Sequence, residues 1–398
     1  MLAADMKYTN EEHGRPAWMN LIGQELLACS TVLHPDYHQQ QKLHRLMSLV
    51  EDRDLLIKVA IKEGLASLLY KNLLKSGALK TLGHRQREEL RSLYYETVLF
   101  NLKLVHDLKE VLCRLNQRKI QAVLMQGIIL LQQVYDDLGL RPLTDIDLWV
   151  FQKDYPGLIS ILSSQGYQRD PIYPNTFRKG STTFDIHTHI LWADRIRAHK
   201  LLIAKGQEHI YHDTRIIHFE GQEVRCLSRY DQVLYLSLHA LKHHVDRLIW
   251  LVDIQGLLAN WNMSDWEGLM NRARELGQEK TISYILFLLL HLFDFRPPRE
   301  VRPFLERKRP HFLEKRVLRE RIKGYSLPLW APLFLFSSGK GLQKRFCLIL
   351  ETLFPRPQIL RQIFVDSPDL KVWRLYYMRV LQLLGMFRMS LKNRPVKA

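Results

Sequence analysis

The stretch from Leu140 to Val150, LRPLTDIDLWV, places two aspartates inside an otherwise apolar run. Asp145 and Asp147 stand two residues apart, and alternate residues of a β-strand point to the same face of the sheet. The two carboxylates would therefore project together, while the apolar residues between and after them face the opposite way into a core. We expect a strand with one acidic face.

Two interpretations of this acidic face are open. Two anionic groups on a buried strand repel each other and are costly to remove from water. A divalent cation with a preference for oxygen ligands relieves that cost. Alternatively, the strand ends in a polar turn and both carboxylates remain in water. The neighbouring segments distinguish between a metal site and a polar turn.

The segment before this strand has two interpretations, a phosphate-binding turn and an ordinary turn that contains a glycine. Ile120–Met125 is a short apolar run typical of a buried strand, and Ile128–Tyr135 has helical spacing. Gln126 and Gly127 lie at the junction, where a glycine permits close backbone approach and a helix N-terminus offers N–H groups. The loop that follows carries Arg141.

A third carboxylate is predicted on a later strand of the same sheet. Ile172–Lys179 and Thr182–Ile190 have the pattern of a strand pair joined by a glycine-serine turn. In the second strand, Asp185, His187 and His189 alternate with largely apolar residues. Three carboxylates on neighbouring strands can hold two divalent cations, and Asp185 can also serve as a general base. The alternative for both histidines is an exposed strand face.

The positive charge is concentrated towards the C-terminus. The 398 residues carry a formal net charge of +17, and residues 296–398 hold 23 Lys and Arg against 7 Asp and Glu, leaving +1 for the rest. Such a region favours nucleic acid, anionic lipid or phosphorylated substrates. Apolar stretches at Leu327–Phe336 and Phe346–Phe354 favour an anionic membrane surface. Nucleic acid is less favoured because few aromatic residues interrupt the basic run, and solvated helices are the remaining alternative.

The cysteines and apolar runs indicate the cellular compartment. The four cysteines lie far apart and predict neither a disulfide framework nor a zinc site. No apolar signal segment occurs among the first residues, and the longest apolar runs fall short of the roughly 18 residues that span a bilayer. We therefore expect a cytoplasmic protein, peripheral at the membrane if its basic region docks there.

Helical patterns flank the predicted sheet on both sides. We expect a helical region over residues 1–118, a core over 119–228 and a second helical region over 229–398, basic from 296. The first region begins with polar residues 1–19, which we expect to be frayed, and includes a long helix from about His84 to Asn116. In the second region we expect a helix that starts at Asp265 with an acidic N-cap. This division places all the carboxylates considered so far in the central segment.

The second helical region offers histidines next to the predicted core. His239, His243 and Arg247 recur every four residues and would share one helix face. A zinc site is one interpretation, although the glutamate of an H-E-x-x-H motif is absent. The other is a polar face packed towards the core, in which Lys242 and His243 border the site together with His187.

The order of these features resembles that of the DNA polymerase β-type nucleotidyltransferase superfamily. The segment from Val123 to Leu148 is similar to the bacterial "uncharacterised nucleotidyltransferase" family in its glycine, its Leu-Arg-Pro and its aspartate pair. Phe184–His187 resembles that family's later acidic strand, and Leu238–Asp253 resembles the helices that follow. The resemblance covers about residues 50–300, and extends more loosely to about 380.

The resemblance implies an α+β fold, with a small mixed-sheet nucleotidyltransferase core between N- and C-terminal helical regions. It also implies transfer of an NMP group from an NTP to a hydroxyl or phosphate of a sugar, lipid or peptide acceptor. The implied ligands of Mg²⁺ or Mn²⁺ are Asp145, Asp147 and Asp185. The implied nucleotide-binding residues are Gln126, Gly127 and Arg141.

Two positions depart from the family pattern. Gln126 stands where the family has a lysine, and Ile128 stands where the superfamily often has serine. A glutamine can hydrogen-bond a phosphate but lacks the lysine's charge. The alternative function is therefore a catalytically weak or inactive nucleotidyltransferase-like ligand-binding module, docked on an anionic membrane or a partner through the basic region. The three intact aspartates favour an active enzyme.

Overall fold

A computed structural model describes residues 21–190, 203–328, 330–338, 341–364 and 370–392 of the chain. The fold is α+β, with one mixed seven-stranded sheet whose strand order is β3-β4-β5-β2-β1-β7-β6. The strands are β1 Val123–Met125, β2 Ile146–Trp149, β3 Gln168–Arg169, β4 Thr176–Lys179, β5 Thr182–His187, β6 Arg215–Phe219 and β7 Gln222–Cys226. All of them lie inside the segment predicted as the core, whose boundaries stay a prediction.

Helices surround the sheet. Those preceding β6 are α1 Leu21–Ser30, α2 Tyr37–Leu49, α3 Arg53–Lys62, α4 Ala66–Lys75, α5 His84–Gln117, α6 Gly127–Gln133, α7 Tyr155–Ser164 and α8 Gln207–His212. Those following β7 are α9 Arg229–Lys242, α10 Ile249–Leu258, α11 Met263–Glu275, α12 Glu279–Phe293, α13 Arg302–Arg307, α14 Phe312–Ile322, α15 Ala331–Ser337, α16 Leu342–Leu353, α17 Pro357–Ile363 and α18 Val372–Lys392. No helix among the described residues combines the length and apolarity needed to cross a bilayer.

The strand register brings the central carboxylates together. β2 runs parallel to β5, and Asp147 is paired directly with Asp185. β1 lies antiparallel to β2 on its other side and parallel to β7. Ile146 and Leu148 are fully buried, as the alternation predicts. The sheet therefore presents two carboxylates at neighbouring positions of adjacent strands.

One hydrophobic core joins the sheet to both helical regions, because its buried residues run continuously in contact from Leu26 to Leu348. The long helix α5 packs on α4, α7, β5 and β7, and its bounds confirm the helix predicted from about His84 to Asn116.

A buried carboxylate ties distant parts of the chain together. Glu63, at the end of α3, accepts a hydrogen bond from the backbone N–H of Leu248 at 2.9 Å, and its own carbonyl accepts one from the N–H of Ile249. The guanidinium of Arg321, on α14, forms an ion pair with the same carboxylate. Both charged side chains are almost fully buried. The start of α10 is thus anchored to both flanking helical regions.

The structure differs from the sequence predictions in three places. The hairpin of β6 and β7 was not predicted; it turns through Glu220 and Gly221, with φ of 48° and 78°. β5 ends at His187, so His189 lies beyond the strand. The prediction of a helix starting at Asp265 is wrong, because Asn262 caps α11 and Asp265 completes a capping box three residues later. Residues 1–19, expected to be frayed, lie outside the described residues.

Candidate active site

Two aspartates and a histidine form a compact cluster on β2 and β5. Nε2 of His187 lies 2.9 Å from Oδ1 of Asp147 and 3.9 Å from Oδ2 of Asp185. Each of the three residues offers one ligand atom, and these atoms all lie within 4.8 Å of one another. The cluster is a geometrically suitable place for a metal ion, since carboxylate oxygens and imidazole nitrogens are common metal ligands.

Asp145 lies just ahead of β2 and lines the same cavity, outside that three-residue cluster. The hydroxyl of Thr144 donates a hydrogen bond to its Oδ1 at 2.9 Å. Burial and the neighbouring charge of Asp147 raise the pKa of Asp145 to about 7. Its predicted role as a metal ligand stays a prediction.

The buried pair of Asp147 and His187 is electrostatically coupled. Burial raises the pKa of Asp147, although the hydrogen bond from His187 opposes that rise. Burial alone would lower the pKa of His187, but the hydrogen bond to Asp147 and the charge of Asp185 outweigh it and raise the pKa. The 2.9 Å contact therefore fits a protonated Nε2 that donates to the Asp147 carboxylate.

Asp185 is the most accessible acid of the cluster. Its side chain is 30% exposed, against 7% for Asp147. The hydroxyl of Thr176, on β4, donates to its Oδ1 at 3.0 Å. The other oxygen of Asp185, Oδ2, is the one that lies closer to His187.

The turn between β1 and α6 brings backbone close to the cavity. Gln126 adopts φ of 56° and ψ of −138°, a conformation that residues other than glycine rarely take. At Gly127 a Cβ atom would lie 2.5 Å from Nη1 of Arg141, so only glycine fits. Nε2 of Gln126 lies 3.5 Å from the hydroxyl of the buried Tyr235. The predicted phosphate-binding residues Gln126, Gly127 and Arg141 all line the cavity.

Arg141 is already engaged by a buried carboxylate. Its Nη2 lies 2.8 Å from Oδ2 of Asp253, on α10, and its Nε lies 3.3 Å from Oδ1. The hydroxyl of Tyr135 donates to the same carboxylate at 2.7 Å. The positive charge of Arg141, which we predicted to bind a nucleotide, is therefore partly neutralised by Asp253.

Further cations come from the end of α9 and the loop that follows. Lys242 and Arg247 line the same cavity as the carboxylates, together with His239, His243 and Trp250. Burial and the charge of Arg141 lower the pKa of Arg247, and no carboxylate lies within ion-pair distance of its guanidinium among the described residues. The sequence reasoning put Arg247 on a helix face but gave it no role.

The connecting loop is conformationally strained. His244 and Val245 both have positive φ, at 61° and 48°, and a β-branched residue in this region is a genuine outlier. Leu327 donates a backbone hydrogen bond to the carbonyl of His244 at 2.9 Å and holds the turn in place. Strain of this kind concentrates at functional sites.

The two histidines of α9 form an aromatic cluster. The rings of His239 and His243 lie 4.6 Å apart, and both contact Trp250. Burial and the charge of His243 hold the pKa of His239 well below its usual range. Within the described part of the chain they share no group of three potential metal ligands, so the contacts favour the polar packing face over zinc.

These residues enclose a cavity of about 260 Å³. That volume lies slightly below the range of about 300–1,000 Å³ typical of small-molecule sites. We call the side chains of Asp145, Asp147 and Asp185 the acidic wall of this cavity, and those of Lys242 and Arg247 its cationic wall. A polyphosphate bound through a cation matches both walls, because the acids hold the metal and the basic residues meet the phosphate oxygens.

Comparison with known proteins identifies the family of the chain. A search of curated proteins gave no match. A matching solved structure is an antigenic nucleotidyltransferase-like protein from Paracoccidioides brasiliensis, with 12% identity over 56% of this chain and 95% of that chain. Its TM-score of 0.28 is too low to support an argument. The family described as uncharacterised nucleotidyltransferase matches residues 50–294, which include every strand of the sheet and both walls of the cavity. The chain belongs to this uncharacterised nucleotidyltransferase family.

Proposed function

We propose that the protein is a metal-dependent nucleotidyltransferase. It transfers an NMP group from an NTP to a hydroxyl or phosphate of an acceptor and releases pyrophosphate. The observation that carries the proposal is the pairing of Asp147 with Asp185 across adjacent strands, beside His187 and in a cavity that Lys242 and Arg247 also line. Neither wall alone would suit both a metal and a triphosphate.

The acidic wall suits Mg²⁺ or Mn²⁺. Asp147 and Asp185 supply hard oxygen ligands, and Asp145 lies beside them. The pKa of Asp145 is raised because its ionised form is buried next to another acid, and a bound cation would stabilise that ionised form. His187 orients Asp147 through its hydrogen bond, much as buried partners orient metal-ligating carboxylates elsewhere. When bound, the cation would stabilise charge on the reacting phosphate.

The cationic wall binds the triphosphate. Arg247 has no carboxylate partner among the described residues and its pKa is lowered, so an anionic ligand gains from meeting it. Lys242 adds a second charge from the end of α9. The backbone at Gly127 approaches from the other side, with the amide of Gln126 beside it. Arg247 and Lys242 thus compensate for the lysine that the chain lacks at position 126.

Asp185 is the residue best placed to receive the acceptor's proton. It is the most exposed of the clustered acids, and the hydroxyl of Thr176 fixes one of its oxygens. Asp185 would therefore either complete the ligand set of the cation or take the proton of the acceptor hydroxyl. A sugar, lipid or peptide acceptor remains the prediction from the family resemblance, as does a cytoplasmic location.

A thermal-shift measurement tests nucleotide and metal binding together. The protein is heated with each NTP in the presence of Mg²⁺ or Mn²⁺, and again with EDTA. A ligand at 100 times its dissociation constant should add about 2.7 kcal/mol to the free energy of unfolding. We expect a shift with at least one NTP that EDTA removes; no shift with any NTP would refute the proposal.

A labelling experiment tests transfer. The protein is incubated with an α-labelled NTP and an extract of its source cells, and the label should move to an acceptor while pyrophosphate is released. The distorted turn at Gln126 and the buried Ile128 favour a second candidate, a binding module without catalysis. A metal-dependent shift without any labelled product would support that module instead.

A further inference from the structure

We propose that α18 docks the protein on an anionic membrane surface. This helix, Val372–Lys392, carries an apolar stripe that is open to solvent. The stripe consists of Trp373, Tyr377, Val380, Leu381 and Leu384, which are 62%, 61%, 38%, 50% and 54% exposed. Their spacing of three and four residues places all five within about 100° of one helix face. The helix therefore presents a continuous apolar band rather than scattered contacts.

The opposite side of α18 is held by the protein, which fixes the direction in which the stripe points. Leu375 is fully buried and Arg379 is 2% exposed. The hydroxyl of Tyr376 donates to the carbonyl of Pro355 at 2.8 Å, and α18 packs on α17 and α16. The stripe is thus the outer face of an anchored helix.

A neighbouring helix contributes more exposed apolar surface. On α16 and the residue that caps it, Phe346, Ile349, Leu350 and Phe354 are 60%, 41%, 39% and 49% exposed. Because α16 contacts α18, the two sets belong to the same part of the molecule. Exposed apolar residues concentrated on packed neighbouring helices mark an interaction surface more strongly than isolated ones.

Positive charge near the stripe favours an anionic partner. Residues 296–398 carry +16, Arg374 is exposed next to Trp373 of the stripe, and Lys371 is exposed just before the helix begins. The guanidinium of Arg374 lies 5.2 Å from the ring centroid of Trp373. A tryptophan, a tyrosine and aliphatic residues flanked by cations fit the interface of an anionic bilayer, where aromatic rings settle at headgroup level.

Other occupants fit the surface less well. A second copy would bring two strongly basic regions together, which charge repulsion opposes. Nucleic acid would meet the cations but gain nothing from the aliphatic part of the stripe, since bases stack on aromatic side chains. The lipid surface uses both the charge and the apolar band. This proposal does not depend on nucleotidyl transfer.

Sedimentation with vesicles tests the proposal on the full chain without nucleotide. Vesicles of phosphatidylcholine alone are compared with vesicles that also contain phosphatidylserine. We expect binding to the anionic vesicles that weakens with salt. Leu384→Asp should weaken that binding at least tenfold. Leu99→Asp, at a 68% exposed position on α5, is the matched control and should bind as the unsubstituted protein does.

Three outcomes would overturn the proposal. The first is equal binding to neutral and anionic vesicles, and the second is unchanged binding by folded Leu384→Asp. The third is a dimer in solution that Leu384→Asp dissociates, since the stripe would then serve self-association. Circular dichroism and melting temperature establish that both variants are folded, and Trp373→Ala provides a milder second variant at the same face.

Discussion

The two walls of the cavity are built in different ways. The acidic wall stands on adjacent strands, where the register pairs Asp147 with Asp185 and leaves little freedom. The cationic wall stands on the end of α9 and on a loop with two residues of positive φ, and it is held there by contacts with distant helices. In the proposed mechanism this difference is a division of labour: the strands position the acids that would bind the metal, and the loop after α9 supplies the basic side chains that would bind the phosphate.

The largest expected effect comes from removing a carboxylate of the acidic wall. Asp147→Asn keeps the shape of the side chain but removes the charge that would bind the cation. Several kcal/mol of transition-state stabilisation correspond to a loss of turnover on the order of 10²–10³-fold. The label transfer described above measures it.

The matched control for this change is Asp136→Asn, at an exposed carboxylate away from the cavity. It should leave turnover unchanged. Because Asp147 is buried and accepts a hydrogen bond from His187, its substitution removes one partner of a buried pair, so circular dichroism and the melting temperature are measured to establish that the variant is folded. An Asp147→Asn protein that is folded and turns over normally would remove the acidic wall from the mechanism.

A smaller effect, on the KM for the NTP, is expected when a charge of the cationic wall is removed. Arg247→Gln removes a charged hydrogen-bond donor worth about 1.5–3 kcal/mol, so the KM for the NTP should rise about tenfold to a hundredfold. The effect on kcat should be smaller if the wall serves binding rather than chemistry. Steady-state kinetics over a range of NTP concentrations separate the two.

Two further variants sharpen that result. Arg247→Lys restores the charge without the planar fork and should recover part of the loss. Arg91→Gln, at an exposed arginine on α5, should have no effect. If Arg247→Gln lowered kcat and left KM unchanged, the cationic wall would belong to the chemistry and the proposed division of labour would fail.

A third effect concerns pH in the absence of metal. The pKa of Asp145 rises from 3.8 to about 7 in the folded state, so the folded protein keeps a proton that the unfolded chain has released. Its contribution to stability therefore falls as pH rises from about 4 to about 7 and stays low above that. The free energy of unfolding of Asp145→Asn, relative to that of the unsubstituted protein, should therefore be about 1–3 kcal/mol higher at pH 8 than at pH 5.

Denaturant unfolding at the two pH values, with EDTA present, measures this difference. Addition of Mg²⁺ or Mn²⁺ should reverse it, because a bound cation stabilises the ionised carboxylate of the unsubstituted protein. A pH dependence that is identical in both proteins would show that Asp145 titrates normally.

The smallest effect is expected at the turn between the walls. Gln126 has a backbone conformation that glycine adopts without strain, so Gln126→Gly should raise the free energy of unfolding by roughly 1 kcal/mol. The same change removes the side-chain amide and should lower NTP affinity. Gln126→Ala shares the lost amide but keeps the strain, and comparing the melting temperatures and KM values separates the two. Equal stability of the two variants would argue against strain.

Local patterns predicted the acidic wall, because the features that build it lie close together in the chain. The two-residue period of a strand put Asp145 and Asp147 on one face, and the next polar alternation identified Asp185 and His187. The same reasoning identified α5, whose apolar spacing runs over many turns. In each case a short stretch of sequence contains the signal.

The cationic wall and part of the sheet depend on contacts that the sequence does not display. The pairing of Arg141 with Asp253 joins residues 112 positions apart. The positions of Arg247 and Trp250 follow from a strained turn in the loop after α9. The β6–β7 hairpin has short strands of which β6 is largely exposed, and a sequence signal for its turn is the glycine after Glu220.

The ion pair between Glu63 and Arg321 has a consequence for the order in which the protein matures. The family match ends at residue 294, yet the carboxylate that anchors Leu248, next to Arg247, receives its guanidinium partner from residue 321. During synthesis from the N-terminus, every strand and both walls of the cavity are made before that partner leaves the ribosome. Until α14 has been made and has docked, Glu63 lacks its guanidinium partner, and the loop that carries Arg247 lacks that part of its support.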